Sequence, residues 1–94
     1  MITEVFKDDE TGYRNWYANN AGGYVLNATR NLSPSYLMLH SATCRTIIGE
    51  PARGKHWTKD CIKVCAAERQ AIDRWARAEV VGGRLRPCRW CNPD

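Results

Sequence analysis

The chain has 94 residues, which is enough for one small domain and too few for two independent hydrophobic cores. Its 44% hydrophobic and 26% charged residues are typical of a folded globular domain and exclude a disordered chain. No apolar run approaches the roughly 18 residues of a membrane span, and the N-terminal segment MITEVFKDDE is acidic where a leader peptide would be basic. We therefore expect a single module over residues 1–94, located in the cytoplasm and without membrane contact.

Charge is distributed unevenly along the chain. Residues 1–44 carry a formal net charge of −1 and residues 45–94 carry +5, which together give the total of +4. Clustered Lys and Arg side chains attract phosphate groups, although the same charge can serve solubility alone. The second half is therefore the place to look for an anionic partner.

The first half of the sequence predicts a helix followed by a β-hairpin. Aromatic residues recur at helical spacing in TGYRNWYANN, so we expect a short amphipathic helix over 11–20, with the glycine pair at 22–23 as a left-handed stop. Two β-rich runs, 24–27 and 36–40, flank a turn-forming segment that contains a proline. These runs predict an antiparallel hairpin.

The second half predicts two strands, a loop and a longer helix. Ile47–Ile48 is expected to form a short strand, and segment 49–57, with two glycines and a proline, is expected to be a surface loop. The alternation of 61–65 predicts a strand, and helical spacing of apolar residues predicts a helix over 66–81. The fold class is therefore α+β: a small antiparallel sheet of about three strands, a short N-terminal helix, one longer helix and a zinc-stapled C-terminal tail.

Five cysteines are many for a cytoplasmic protein, because cytoplasmic thiols are kept reduced and structural disulfides are rare there. Metal binding is favoured, since a metal site needs only three or four ligands and tolerates an odd number of cysteines. Cys88 and Cys91 have the C-x2-C spacing that brings two thiolates on a tight turn to one tetrahedral zinc ion, and His40 and Cys44 follow one another as H-x3-C at the end of a predicted strand. We therefore predict zinc bound by His40, Cys44, Cys88 and Cys91.

Cys61 and Cys65 are alternative donors. If 61–65 is extended, their sulfurs lie about 13 Å apart at about 3.3 Å per residue, whereas two sulfurs on one zinc ion lie only about 4 Å apart. A helical segment would instead permit an all-thiolate site from these two and the C-terminal pair, Cys88 and Cys91. A third alternative is a chain without metal, in which the thiols are small packing residues.

Two basic segments, 53–59 and 84–90, combine cations with a tryptophan. Cations neutralise phosphates and an exposed indole stacks on unpaired bases, so we predict contacts with nucleic acid, DNA rather than RNA. We expect Trp57 to be exposed in its loop and Trp90 to cover the zinc site. The candidate contact residues are Arg53, Lys55, His56, Trp57, Lys59, Arg84, Arg86 and Arg89.

The sequence lacks the H-E-x-x-H, phosphate-loop and G-x-S-x-G motifs of common enzymes. A zinc ion with four protein ligands is structural, so we expect a non-catalytic module, with a metal-dependent nuclease-like enzyme as one alternative. The other alternative is a small protein-interaction, defence or phage accessory factor that does not bind nucleic acid. Its contact stripe would be Tyr13, Trp16 and Tyr17, which otherwise pack against the hairpin.

Four short motifs, GYVLN, LHSATC, IKVC and the terminal CRWC, occur between Gly23 and Cys91. Together they resemble small prokaryotic zinc-finger-like modules that accompany restriction nucleases or modified-DNA recognition domains. The resemblance implies zinc at His40, Cys44 and the two cysteines of CRWC, and a role facing DNA.

Overall fold

A five-stranded sheet with one helix on each face makes up the computed structural model, which describes residues 2–51 and 56–93. The elements are β1 (Thr3–Phe6), α1 (Glu10–Asn19), β2 (Tyr24–Thr29), β3 (Leu37–Ser41), β4 (Cys61–Ala66), α2 (Arg69–Glu79) and β5 (Arg86–Pro87). The strand order is β1-β4-β2-β3-β5, and all neighbours are antiparallel except β3 and β5. The predicted α+β class is confirmed. In the described ranges, no helix is both long and apolar enough for a membrane span.

One face of the sheet packs against α2. Strand alternation places one set of β2, β3 and β4 side chains on this face, and α2 covers them with Ala71, Ile72 and Ala76. The helix is shorter than the predicted range 66–81. The buried strand residues are Leu26, Ala28, Leu37, Leu39, Ile62, Val64 and Ala66.

The opposite face packs against α1 and the irregular segment that follows β3. Tyr13 and Trp16 are buried there together with Val25 and Cys65, and Tyr17 packs against the same cluster. The aromatic stripe of α1 therefore forms part of the core. It does not offer the free contact surface that the protein-interaction alternative would use.

A charged side chain is also buried on this face. Lys63 is 3% exposed, and its Nζ donates to Asn27 Oδ1 at 2.8 Å and to the carbonyl oxygen of Trp57 at 2.6 Å. The same Nζ lies 6.0 Å from the ring centroid of Tyr13. Burial lowers the pKa of Lys63, because the charged form loses water, while these hydrogen bonds satisfy two of its three donors.

Both ends of α1 are capped by side chains. Asp9 precedes the helix, and its Oδ1 accepts from the backbone N–H of Gly12 at 2.9 Å. At the other end, Asn20 Nδ2 donates to the carbonyl oxygen of Trp16 at 2.7 Å. The predicted left-handed glycine stop at 22–23 is wrong, because neither glycine has a positive φ.

Two predicted features differ from the structure. β1 and β5 were not predicted, so the sheet has five strands where about three were expected. The expected strand at Ile47–Ile48 is wrong: this segment is a turn in which the carbonyl oxygen of Ile47 accepts from the Tyr13 hydroxyl at 2.7 Å. The predicted strand at 61–65 and the predicted hairpin are confirmed. Part of the predicted loop, 52–55, lies outside the described residues.

The backbone of residue 23 lies so close to α1 and β4 that only glycine fits there without a shift of its neighbours. A Cβ at Gly23 would lie 2.8 Å from the carbonyl oxygen of Ala66 and 2.9 Å from the indole of Trp16, whereas a Cβ at Gly22 meets no atom within 4 Å. We expect Gly23→Ala to lower the free energy of unfolding by about 1–3 kcal/mol, since buried atoms must move to admit the methyl group. Urea denaturation measures this change.

The matched control is Gly22→Ala, which adds the same methyl group one residue earlier into open space. We expect this variant to change the free energy of unfolding by no more than about 0.5 kcal/mol. Equal stability of the two variants would show that the close approach at Gly23 does not constrain the fold.

Candidate metal centre

The four predicted metal ligands lie together at one end of the sheet. One ligand atom from each of His40, Cys44, Cys88 and Cys91 lies within 4.8 Å of all the others. The first three side chains are buried and the fourth is half-buried. The tetrad predicted from the sequence is therefore positioned to bind a metal ion.

The first two ligands come from the end of β3. The register of β3 against β2 pairs His40 with Val25 and turns its imidazole toward the α1 face of the sheet. The chain leaves the strand at Ser41, and a tight turn, in which the N–H of Cys44 donates to the Ser41 carbonyl oxygen at 3.0 Å, returns the Cys44 thiol to the imidazole. The three residues between His40 and Cys44 are therefore the last residue of β3 and the tight turn that follows it.

The last two ligands come from the segment after β5. The N–H of Cys88 donates to the carbonyl oxygen of Leu39 at 2.8 Å, which continues the pairing of β5 with β3. The turn that follows is closed by a bond of 2.9 Å from the N–H of Asn92 to the Cys88 carbonyl oxygen. Asn92 has a φ of +46°, a left-handed conformation that Asn tolerates better than most residues.

Backbone N–H groups point at the sulfur atoms. Burial acts to raise the pKa of Cys88, but the N–H groups of Cys91 and Trp90, together with neighbouring thiols, outweigh it, and the pKa is lowered. Burial raises the pKa of Cys91 to about 11. The N–H of Ser41, which donates to the Cys91 Sγ at 3.2 Å, acts in the opposite direction and lowers the pKa. Such N–H groups stabilise a thiolate, which is the form that binds metal.

His40 is held in the neutral state that a ligand requires. Burial, with a smaller contribution from the charge of Lys63, lowers the pKa of His40 to about 4. At neutral pH the imidazole therefore keeps a free lone pair for a metal ion.

The spacing of the sulfur atoms fits metal coordination. Cys44 Sγ lies 3.8 Å from Cys88 Sγ. Two sulfurs at about 2.3 Å from one tetrahedral metal ion lie about 3.8 Å apart, whereas a disulfide bond is about 2.05 Å long. The alternative donors Cys61 and Cys65 lie on extended β4, so they do not share an ion.

A hydroxyl group contacts two of the ligands. Thr46 Oγ1 lies 3.0 Å from Cys44 Sγ and 3.4 Å from His40 Nδ1. A hydroxyl between a thiolate and an imidazole limits the orientations that both ligands adopt. The sequence did not predict this contact of Thr46, because H-x3-C spacing says nothing about the residue two places later.

The predicted nucleic-acid contacts lie in separate places. Arg53 and Lys55 are outside the described residues. His56 and Lys59 are exposed beside the β1–α1 turn, where they line a depression with Asp8 and Glu10, at the β1 edge of the sheet. By contrast, the three C-terminal arginines lie on the opposite side of the strand order, before, within and after β5: Arg84, Arg86 and Arg89.

Both tryptophans differ from the prediction: Trp57 is less exposed than expected and Trp90 is more exposed. Trp57 is half-buried, with its Nε1 donating to the carbonyl oxygen of Gly49 at 3.0 Å. Trp90 is 70% exposed and does not cover the metal centre, and the guanidinium carbon of Arg45 lies 4.9 Å from its ring centroid. Arg45 was not predicted, and its only signal in the sequence is its position next to the ligand Cys44.

Comparisons with protein-family models, with functionally characterised proteins and with solved structures return no significant match.

The hydroxyl contact can be tested without removing a ligand. We expect Thr46→Val, which keeps the side-chain shape and loses the hydroxyl, to weaken metal binding by about 10–100-fold, the usual effect of removing a group that orients a ligand. Competition with a chromophoric chelator measures the affinity.

Thr43→Val is the matched control, because Thr43 is exposed in the preceding turn and, within the described residues, makes no hydrogen bond to a ligand. We expect its metal affinity to stay within about twofold of the parent chain. Equal losses in the two variants would rule out a specific role of the Thr46 hydroxyl.

Proposed function

We propose that this chain is a zinc-stabilised nucleic-acid-binding module in which the metal is structural. Three thiolates and one imidazole are soft and borderline donors, a set that zinc binds tetrahedrally. Four protein donors fill a tetrahedral site and leave no open position for substrate, which argues against the nuclease-like alternative. The thiols must stay reduced to bind, so the proposal places the chain in the cytoplasm.

The proposed binding of nucleic acid rests on the distribution of charge around the metal centre. The metal joins segments 37–49 and 80–93, which contain no Asp or Glu and are flanked in the sequence by Glu50, Glu79 and Asp94. Four arginines project from these segments, all exposed: Arg45, Arg84, Arg86 and Arg89. The ion pairs found in the described part of the chain involve other residues, namely Arg30 with Asp8 and Arg69 with Asp73.

Arg45, Arg86 and Arg89, each within two residues of a ligand, make the metal end of the molecule a basic surface, whereas Arg84 lines a depression with Asp73 and Arg77 of α2. A zinc ion bound to three thiolates and a neutral imidazole offsets only one of their charges. Unpaired, exposed guanidinium groups are suited to phosphate oxygens, which they bind in a bidentate manner. A phosphate backbone is the polyanion that such a surface fits, and DNA is the nucleic acid that the proposal favours.

Zinc binding is tested by comparing two cysteines. We expect the purified chain to contain one equivalent of zinc, and Co²⁺ to replace it with the sulfur-to-metal charge-transfer absorption of a thiolate site. Cys91→Ala should lose most of the bound metal and unfold at lower temperature, because metal binding contributes to folding.

Cys61→Ala is the control for the loss of a thiol, since Cys61 lies on β4 away from the tetrad. This variant should keep the full equivalent of zinc and its Co²⁺ spectrum. Less than about half an equivalent in the parent chain, with stability indifferent to chelator, would refute the zinc centre.

Nucleic-acid binding is tested through its salt dependence. We expect labelled DNA and RNA oligonucleotides to bind at about 50 mM salt and to dissociate at about 200 mM. The double variant Arg86→Gln, Arg89→Gln should lose at least about tenfold in affinity. It should also lower the slope of log affinity against log salt by about 1.4, since each lost phosphate contact on a single strand removes about 0.7.

The control removes the same charge elsewhere. Lys7 and Arg74 are exposed residues beside β1 and on α2, away from the joined segments. The double variant Lys7→Gln, Arg74→Gln should bind within about threefold of the parent chain. Equal losses in both double variants would indicate attraction by net charge alone. Absence of any binding at low salt would instead favour a protein partner.

A further inference from the structure

An open pocket lies directly beside the metal centre, between the two segments that the ligands join. Its volume is about 420 Å³. This is within the range of pockets that hold small molecules or single nucleotides, which begins near 300 Å³. The lining residues are Ser41, Thr43, Cys44, Arg45, Trp90 and Cys91. The pocket thus exists only where the end of β3 and the C-terminal turn meet.

The exposed indole in this pocket belongs to neither cluster of core residues. Trp90 is 70% exposed, although it lies between two metal ligands in the sequence, and Trp is a residue that normally buries most of its surface. Arg45 lies over the ring, with its guanidinium carbon 4.9 Å from the ring centroid. Most of the indole surface is open to solvent, and it projects from a turn closed by a hydrogen bond.

The groups around the indole have complementary chemistry. Arg45 is a planar cation that binds a phosphate in a bidentate manner. Ser41 and Thr43 supply hydroxyl groups that both donate and accept hydrogen bonds. A ligand with a flat aromatic part, polar edges and an adjacent negative charge satisfies all three kinds of group.

We propose that this pocket binds one unpaired nucleobase of a single-stranded nucleic acid, which stacks on Trp90 while Arg45 holds the adjoining phosphate. The inference rests on the nucleic-acid binding proposed above and adds the form of nucleic acid that is recognised. Paired bases in a duplex have no free face to offer, so single strands bind more tightly than duplexes of the same sequence. Sequence preference is weak, because every base has an aromatic face.

The test measures binding of a labelled single-stranded oligonucleotide to the zinc-loaded chain and to substituted chains. Trp90→Leu should reduce the affinity at least about tenfold, the usual effect of losing one stacked base, and Trp90→Phe should recover part of it. Neither should change the salt slope. Arg45→Gln should lower that slope by about 0.7, because it removes one phosphate contact on a single strand. Zinc content and melting temperature should stay unchanged, since both side chains are exposed.

Val81→Ala is the control for the loss of an exposed apolar side chain. Val81 is 92% exposed after α2, away from the pocket, and its substitution should leave the affinity unchanged. A second arm uses oligonucleotides in which one nucleotide after another is abasic, so that the base is lost and the phosphate kept. At the position whose base enters the pocket, loss of the base should weaken the binding of the oligonucleotide to the parent chain. The same loss should leave the affinity of the Trp90→Leu variant unchanged.

The outcomes separate this inference from the proposed function. Salt-dependent binding that is indifferent to Trp90→Leu, to abasic positions and to duplex formation would overturn the nucleobase pocket and leave the basic surface intact. No binding of the parent chain to DNA or RNA would overturn both.

Discussion

The position of the C-terminal segment depends on one contact, in which its two cysteines, Cys88 and Cys91, meet His40 and Cys44. Cys44 and Cys88 are 44 residues apart, so their approach closes a large part of the chain into one loop. Such closure costs conformational entropy, which metal binding can offset, since the site does not exist in the unfolded chain. β5 has only two residues, and its pairing with β3 leads directly into the bond from the Cys88 N–H to Leu39.

A second polar network holds the irregular segment on the same face of the sheet. The Glu10 carboxylate accepts hydrogen bonds from the backbone N–H groups of Trp57 and Thr58 and from the Thr58 hydroxyl. Burial acts to raise the pKa of Glu10, but these bonds outweigh it and lower the pKa. The carbonyl oxygen of Trp57 in turn accepts from Lys63. Hydrogen bonds to buried or half-buried charges thus replace the regular ladder that segment 56–58 lacks.

The sequence predicted the features that local patterns determine, and missed those that depend on distant contacts. Helical spacing and alternation located α1, α2 and the inner strands, and ligand spacing with the exclusion of an extended Cys61–Cys65 pair located the tetrad. β1 and β5 are short edge strands that form because β4 and β3 are present to pair with them. Lys63 has no local sign of burial, since its partners Asn27 and Trp57 come from other segments. The exposure of Trp90 likewise follows from the direction in which the closed turn projects its side chain.

The same turn connects stability with the proposed recognition. Arg89 and Trp90 lie between the ligands Cys88 and Cys91, and Arg45 directly follows the ligand Cys44. The residues proposed to contact phosphate and base are therefore attached to the two backbone segments that the metal holds together. Arg45 is near Trp90 only while both segments keep their places, so the pocket depends on the same contacts that bring the four ligands together. The proposed metal thus acts on the proposed binding through geometry, because it pre-organises groups that would otherwise lose conformational entropy on meeting a ligand.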